Sequence, residues 1–347
     1  MTTDEKYIRR CIELASNGQC NAAPNPMVGA VIVHKGRIIG EGYHIRCGEG
    51  HAEVNAIRSV KDENLLKDST IYVSLEPCSH YGKPPPCADL IISKGIPRVV
   101  VGCIDPFSKV SGRGIQKLRN TGIEVKVGVL EDECKKLIRR FVVFNTLKRP
   151  YITLKWAESA DGFIDIYRDG GNPVVLSTPI TSMYVHKQRA EHKAILIGRK
   201  TALLDNPSLT TRYWYGKNPL RMVIDKDLTL PKNLKLFDRS TPTIIFTSKE
   251  EKSSCNIEYI KLDFSKDILP QIFNFLYEIK IQSLMVEGGS TLLQTFIDNN
   301  SWDEIFVEHS DKVLNDGIES PVIPKGIPMI PEIRNGVCVS LYTNKET

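Results

Sequence analysis

His51, Glu53, Cys78 and Cys87 are residues whose types and spacing could do chemistry together. They fall in HAEVNAI (51–57) and EPCSHYGKPPPC (76–87), with a proline beside each cysteine. One imidazole nitrogen and two thiolate sulfurs make three protein ligands for a cation such as zinc. Three ligands leave a fourth tetrahedral position open, as in catalytic zinc sites and unlike the closed structural ones. Glu53 then serves as a proton carrier and not as a ligand. Two residues past His51 on a helix, it points away from the ligand's own direction and reaches the site from one side. Singly, each residue has an ordinary reading: a histidine at a helix start is a cap or a surface group, and two cysteines fill a core. Their order between strand and helix favours the metal.

The elements that must position them follow from periodicity. Residues 4–17 read as a helix with Tyr7, Ile8, Cys11, Ile12 and Ala15 on one face and Gly18 after its end. VGAVIV and RIIGEGYH form a hairpin with Gly36 in the turn. His51 opens a helix, the strand TIYVSLE ends just before Cys78, and Cys87 opens the next helix, where the dipole favours a thiolate. RVVVGCID reads as a strand covered on both faces. A helix, a strand and a longer helix lead to Pro150. The second half restarts with the strand YITLKWAES, then helix 181–192, strands AILIG, LRMVID, TPTIIFTS and IEYIKL, helix 270–280, strand SLMVEGG, a helix from Ser290 and a last strand at EIFVEHS. Both halves alternate strand and helix, so the fold class is α/β, in two domains, 1–148 and 149–347.

A chain of 347 residues exceeds the size at which one core stops growing. Nine cysteines and no visible export signal predict reduced thiols and a cytoplasmic location. No apolar run reaches the roughly 18 residues of a membrane span, so no membrane is expected. The net charge of +5 suits a phosphorylated small molecule. The second half is read as lacking basic clusters with interleaved aromatics, so no nucleic acid is expected.

The H-x-E and P-C…C order is that of zinc deaminases, in which the Glu is not a ligand. Here eight residues, SHYGKPPP, separate the cysteines instead of two. With that insert, PNPMVGAVIV, GEGYH, GHAEVNAI, EPCSHYGKPPPC and DPFSKVSGRGI resemble the deaminase half of the bifunctional riboflavin-biosynthesis deaminase/reductase family. The resemblance continues through LKWAESADGFI, AILIGRKTALLDNPSLTTR and VEGGSTL, nearly the whole chain. It implies a cytidine-deaminase-like three-layer domain followed by a dihydrofolate-reductase-like α/β domain. The first would deaminate a diaminopyrimidinone bearing a phosphoribosylamino arm, with zinc on His51, Cys78 and Cys87 and Glu53 as shuttle. Asn25, His44, Lys83 and Asp105 fall in segments similar to the substrate loops. Asn25 between prolines is also an ordinary turn residue, and Lys83 an ordinary surface lysine. Phe107 stands where the family commonly has Asn.

In the second half, SLMVEGGSTLLQTF is a strand, a Gly-Gly turn and a helix start, which suits a phosphate but is also a common turn. The resemblance implies a reductase that uses NADPH to turn the ribosyl into a ribityl side chain. The implied NADPH positions are Ala157, Thr201, Asp205, Gly289, Ser290, Thr291, Leu292, Leu293, Gln294 and Thr295. Those for substrate are Arg189, Leu209, Arg212 and Glu287. Lys155 is a further candidate, for polarising the sugar oxygen. Pro173, Val175 and Lys226 depart from the family's Ser, Trp and Ser. The expected partners are a phosphorylated pyrimidine and further copies of the chain. Two other readings stay open: a deaminase with a non-catalytic second half, and a nucleic-acid deaminase.

Overall fold

In the computed structural model, which describes residues 1–80, 85–106, 112–334 and 336–344, the chain divides into two units, Met1–Leu147 and Lys148–Thr347. The first contains α1 (Thr3–Ser16), β1 (Gly29–His34), β2 (Arg37–Tyr43), α2 (Ala52–Arg58), β3 (Ser69–Leu75), α3 (Cys87–Ser93), β4 (Arg98–Cys103), α4 (Arg113–Asn120), β5 (Glu124–Val127) and α5 (Glu131–Thr146). Its sheet has the order β2-β1-β3-β4-β5, antiparallel in the first two pairings and parallel in the last two. Strand alternation divides the core between two layers of helices. Val31, Val33, Tyr72 and Val100 pack with Ile8 and Cys11 of α1 and Ile138 of α5. Ile32, Ile71, Val73, Val99 and Val101 pack with Ala56, Ile91 and Leu118 of α2, α3 and α4. Gly42 lets α2 lie against β2, since a Cβ there would stand 2.4 Å from the Ala56 nitrogen.

The second unit contains β6 (Tyr151–Glu158), β7 (Phe163–Asp165), α6 (Pro179–Glu191), β8 (Ala194–Gly198), α7 (Arg199–Asp205), β9 (Leu220–Ile224), β10 (Thr243–Thr247), β11 (Ile257–Lys261), α8 (Ile268–Glu278), β12 (Ser283–Val286), α9 (Ser290–Asp298), β13 (Glu304–His309), β14 (Ile318–Glu319), β15 (Met329–Arg334) and β16 (Val337–Thr343). Its nine-stranded sheet runs β11-β10-β9-β8-β12-β6-β13-β16-β15. Pairing is parallel from β11 to β13 and antiparallel for β16 and β15. One face buries Ile152, Leu154, Leu196, Met222 and Phe246 under α8 and α9. The other buries Ile195, Ile197, Val223 and Ile245 with Ala202 and Leu236.

Periodicity misses three features of this unit. The strand EIFVEHS is followed by the β15–β16 hairpin, whose edge strand MIPEIR carries Pro331 and exposes most of its side chains. A proline is tolerated on an edge, where its missing N–H has no ladder partner to serve. Helix α7 buries only Ala202 of its seven residues, so no apolar face marks it. The short β7–β14 pair carries no alternation at all.

Candidate active sites

The ligand atoms of His51, Cys78 and Cys87 lie within 4.8 Å of one another. His51 is the N-cap of α2, with extended backbone (φ −68°, ψ 168°) and no capping hydrogen bond, so its ring is free to turn to the cysteines. Nδ1 stands 3.5 Å from Cys78 Sγ and 3.4 Å from Cys87 Sγ. Cys87 is the first residue of α3, and its otherwise orphaned backbone N–H donates to Cys78 Sγ at 3.3 Å. The Cys87 thiol, with His51 behind it, holds Cys78 down to a pKa of about 4, and the same contact pushes Cys87 upward. His51 is raised, chiefly by Cys78. One nitrogen and two sulfurs of this proximity and polarity fit zinc.

Glu53 does not point away from this cluster. Because His51 is extended and not helical, the two-residue offset does not set their side chains at opposite sides. Glu53 is buried and interacts with Cys87, and burial followed by the charge of Cys78 raises its pKa to about 7. His44, also buried, stacks edge-on to His51 with ring centroids 5.4 Å apart. Asn25 Nδ2 lies 3.1 Å from His44 Nε2, and His44 Nδ1 lies 3.2 Å from the Gly50 carbonyl. Asp105 follows β4 at the strand end that neighbours Cys78, and Glu76 fixes it there. The sequence reading passes over Glu76. Its buried carboxylate accepts from the backbone N–H groups of Asp105, Gly112, Gly114 and Ile115, at 2.9 to 3.3 Å. Lys83 and Phe107 lie outside the described residues.

The second unit holds a cavity of about 1220 Å³ at the C-terminal ends of its parallel strands. Lys155, Ala157, Thr201, Asp205, Glu287, Gly289, Ser290, Thr291, Leu292, Leu293 and Thr295 line it, as do Pro173, Val175 and Lys226. Gly288 has φ 120°, a conformation that favours glycine, and a Cβ on Gly289 would come within 3.1 Å of Thr201 Oγ1. Gln294 is not among the lining residues; its amide bonds Asp298 and the Val322 backbone. Leu209 is buried in the core beneath β8 and β9, at φ 51°.

Burial works against Glu287 as an anion, but Arg189 overrides it, with bonds of 2.8 and 2.5 Å, and its pKa is lowered. Arg212 is exposed, and its backbone N–H donates to Nδ1 of buried His186 at 2.8 Å. Burial, then Arg189 and Arg212, pulls His186 down to about 4. Asp205 is ion-paired with Arg168, which also bonds Asp165 at 2.8 Å. Burial still leaves Asp205 raised. Arg168 and His186 escape the sequence reading because each acts through a partner distant in the chain. The glycine turn and long cavity fit a dinucleotide.

Residues 1–103 match the cytidine and deoxycytidylate deaminase zinc-binding region, and residues 150–326 match the RibD C-terminal domain. The riboflavin biosynthesis protein RibD of Aquifex aeolicus is 38% identical over 320 residues, 91% of this chain and 89% of that protein. RibD of Bacillus amyloliquefaciens is 39% identical over 311 residues, 87% of this chain and 83% of that protein. The solved diaminohydroxyphosphoribosylaminopyrimidine deaminase/5-amino-6-(5-phosphoribosylamino)uracil reductase of Thermotoga maritima superposes with a TM-score of 0.89 at 38% identity, covering 98% of each chain. The match over 150–326 favours a reductase over a non-catalytic second half. A metal-ligand cluster in one unit and a long glycine-edged cavity in the other thus have a common explanation: the chain belongs to the RibD family of riboflavin biosynthesis enzymes, which join a zinc-dependent deaminase to an NADPH-dependent reductase.

Proposed function

We propose that residues 1–148 deaminate 2,5-diamino-6-(5-phosphoribosylamino)pyrimidin-4-one and that residues 149–347 then reduce the ribosyl arm to ribityl. The observation that carries the first half is the convergence of His51, Cys78 and Cys87 within 4.8 Å beside buried Glu53. These three residues would hold zinc, which when bound would lower the pKa of water from about 15.7 to about 7. Glu53, whose burial raises its pKa and so favours proton uptake, carries protons between water and the departing amine. Asn25, His44 and Asp105 surround the pyrimidine, and Lys83 is assigned to its phosphate.

In the second half NADPH supplies the hydride. The turn at Gly289 and the start of α9 would offer backbone N–H groups to its phosphates. Ala157, Thr201 and Asp205 line the rest of its path, and Lys155 polarises the sugar oxygen. Glu287, kept anionic by Arg189, meets substrate hydroxyls together with Arg212. Leu209 is assigned to substrate by the resemblance alone, since it lies in the core and not among the residues lining the cavity. Mass spectrometry on the full chain tests the whole reading. The diaminopyrimidinone phosphate should lose its amine without NADPH, and the ribityl product should form only with it. No amine loss from a zinc-loaded chain defeats the first half, and no ribityl product despite NADPH defeats the second.

No helix of the described residues is long and apolar enough to cross a membrane. Nine cysteines, a count that suits a reducing compartment, support a cytoplasmic location. Met329, Ile330 and Ile333, exposed on the edge strand β15, support a homo-oligomer. One exposed stretch of the second half sets consecutive aromatics between two cations, without the basic cluster that nucleic-acid binding would need. Tyr213, Trp214 and Tyr215 are exposed between Arg212 and Lys217. Filter binding with tRNA and single-stranded DNA tests the expectation that neither is bound.

A further inference from the structure

One buried carboxylate beside the reductase cavity has no part in the reading above. Glu308 lies on β13 opposite Ala157 of β6, and its neighbour Phe306 lies opposite Lys155. It is only 4% exposed. Its Oε2 accepts from the Ser177 hydroxyl at 2.8 Å and stands 3.5 Å from the Lys155 ammonium. Its Oε1 is buried without a hydrogen-bond partner among the described residues. Lys155 and Ser177 line the cavity, and Glu308 stands behind them.

A buried carboxylate is costly unless an opposite charge compensates it. The other acids nearby are already engaged. Glu287, at the end of β12, feels the charge of Lys155 but is bound twice by Arg189. Glu158 accepts from Trp156 Nε1 at 2.9 Å and faces His309 Nδ1 at 3.1 Å. Among the described residues, Lys155 is the ion-pair partner of Glu308. A lysine head sits on a flexible four-carbon stem with several rotamers to lose. A fixed carboxylate beside it removes that freedom before substrate arrives, and the advantage appears in the reacting complex.

We infer that Glu308 is a positioning residue of the reductase, whose carboxylate holds the Lys155 ammonium aimed into the cavity. The same carboxylate anchors Ser177, two residues before α6. The inference rests on the reading that Lys155 polarises the sugar oxygen, and the test separates the two.

The full-length, zinc-loaded chain is assayed for NADPH oxidation with the deaminated intermediate supplied. E308Q keeps the volume and an acceptor for Ser177 but removes the charge. Its kcat should fall about tenfold, with KM for NADPH changed by less than about twofold, the pattern of an interaction that matters in the transition state. E308D should lie between E308Q and wild type, and S177A should stay near wild type. K155M tests the underlying reading; wild-type kcat in that variant defeats it whatever Glu308 does. In K155M/E308Q the second change should add nothing, because residues acting through one another are not additive. A wild-type kcat in E308Q, or an equal tenfold loss on both backgrounds, overturns the inference. If E308Q does not fold, E308D decides: a wild-type kcat there overturns it as well.

Discussion

Glu53 and Cys87 interact at the metal site, yet they are assigned different work, and substitution separates them. E53Q should keep its zinc and fold while deamination falls at least about a hundredfold, the scale of general acid–base catalysis. C87S should lose most of its metal. Elemental analysis and ammonia release on both variants check this, and zinc loss in E53Q would make Glu53 a ligand. His186 offers a pH test in the second unit. Burial, Arg189 and Arg212 pull its pKa to about 4, so it stays neutral in the fold where the unfolded chain takes up a proton below about 6.5. The unfolded state binds more protons in that window. This share of stability is therefore full above about pH 6.5 and lost as pH falls toward 4, about 2 kcal/mol of it by pH 5. H186Q should lose less stability than wild type between pH 7 and pH 5 in thermal denaturation. Equal losses would remove His186 from the account.

At the scale of elements, the deaminase site depends on Glu76, which ties Asp105, Gly112, Gly114 and Ile115 to the end of β3 through their four backbone N–H groups. E76Q turns an amide NH2 toward two of those donors. It should cost about 1–3 kcal/mol and raise KM for deamination with zinc retained. Calorimetry and ammonia release measure the two effects, and an unchanged melting point would show that Asp105 and the start of α4 hold without Glu76. Glu76 shows where sequence reading stops. Its neighbours Pro77 and Cys78 announce a site, but its partners lie 29 to 39 residues away and nothing in its own segment points to them. The helices and central strands were legible because burial imposes a period on them. The β15–β16 hairpin was not, because an exposed edge imposes none. The run 289–295 illustrates the same limit. A contiguous stretch on a helix cannot all face one cavity, and Gln294 turns away to Asp298.

At the scale of the molecule, the metal ligands lie within Met1–Leu147, and the long cavity is lined by residues of Lys148–Thr347. No proposed catalytic group is shared. E53Q should stop ammonia release while NADPH is still oxidised with the deaminated intermediate. D205N and E287Q should impair reduction, since they unbalance Arg168 and Arg189, and leave ammonia release intact. Loss of both activities in folded, zinc-loaded E53Q would contradict the division. This division was legible because each half carries its own chemistry-bearing segments. The pairing of the second site's acids with their cations was not, because Arg168 and Arg189 lie 37 and 98 residues from Asp205 and Glu287.

The hydrogen bonds of His44 carry a direction. The Gly50 carbonyl can only accept, so it fixes the proton on Nδ1. Burial keeps the ring neutral, which leaves Nε2 a bare lone pair. Asn25 must then turn its NH2 toward that lone pair, and its carbonyl oxygen is committed to the other side. A single backbone carbonyl thus dictates, two side chains away, the sense in which Asn25 is read. Any ligand that meets that oxygen must arrive as a donor, and one that offers only lone pairs is refused.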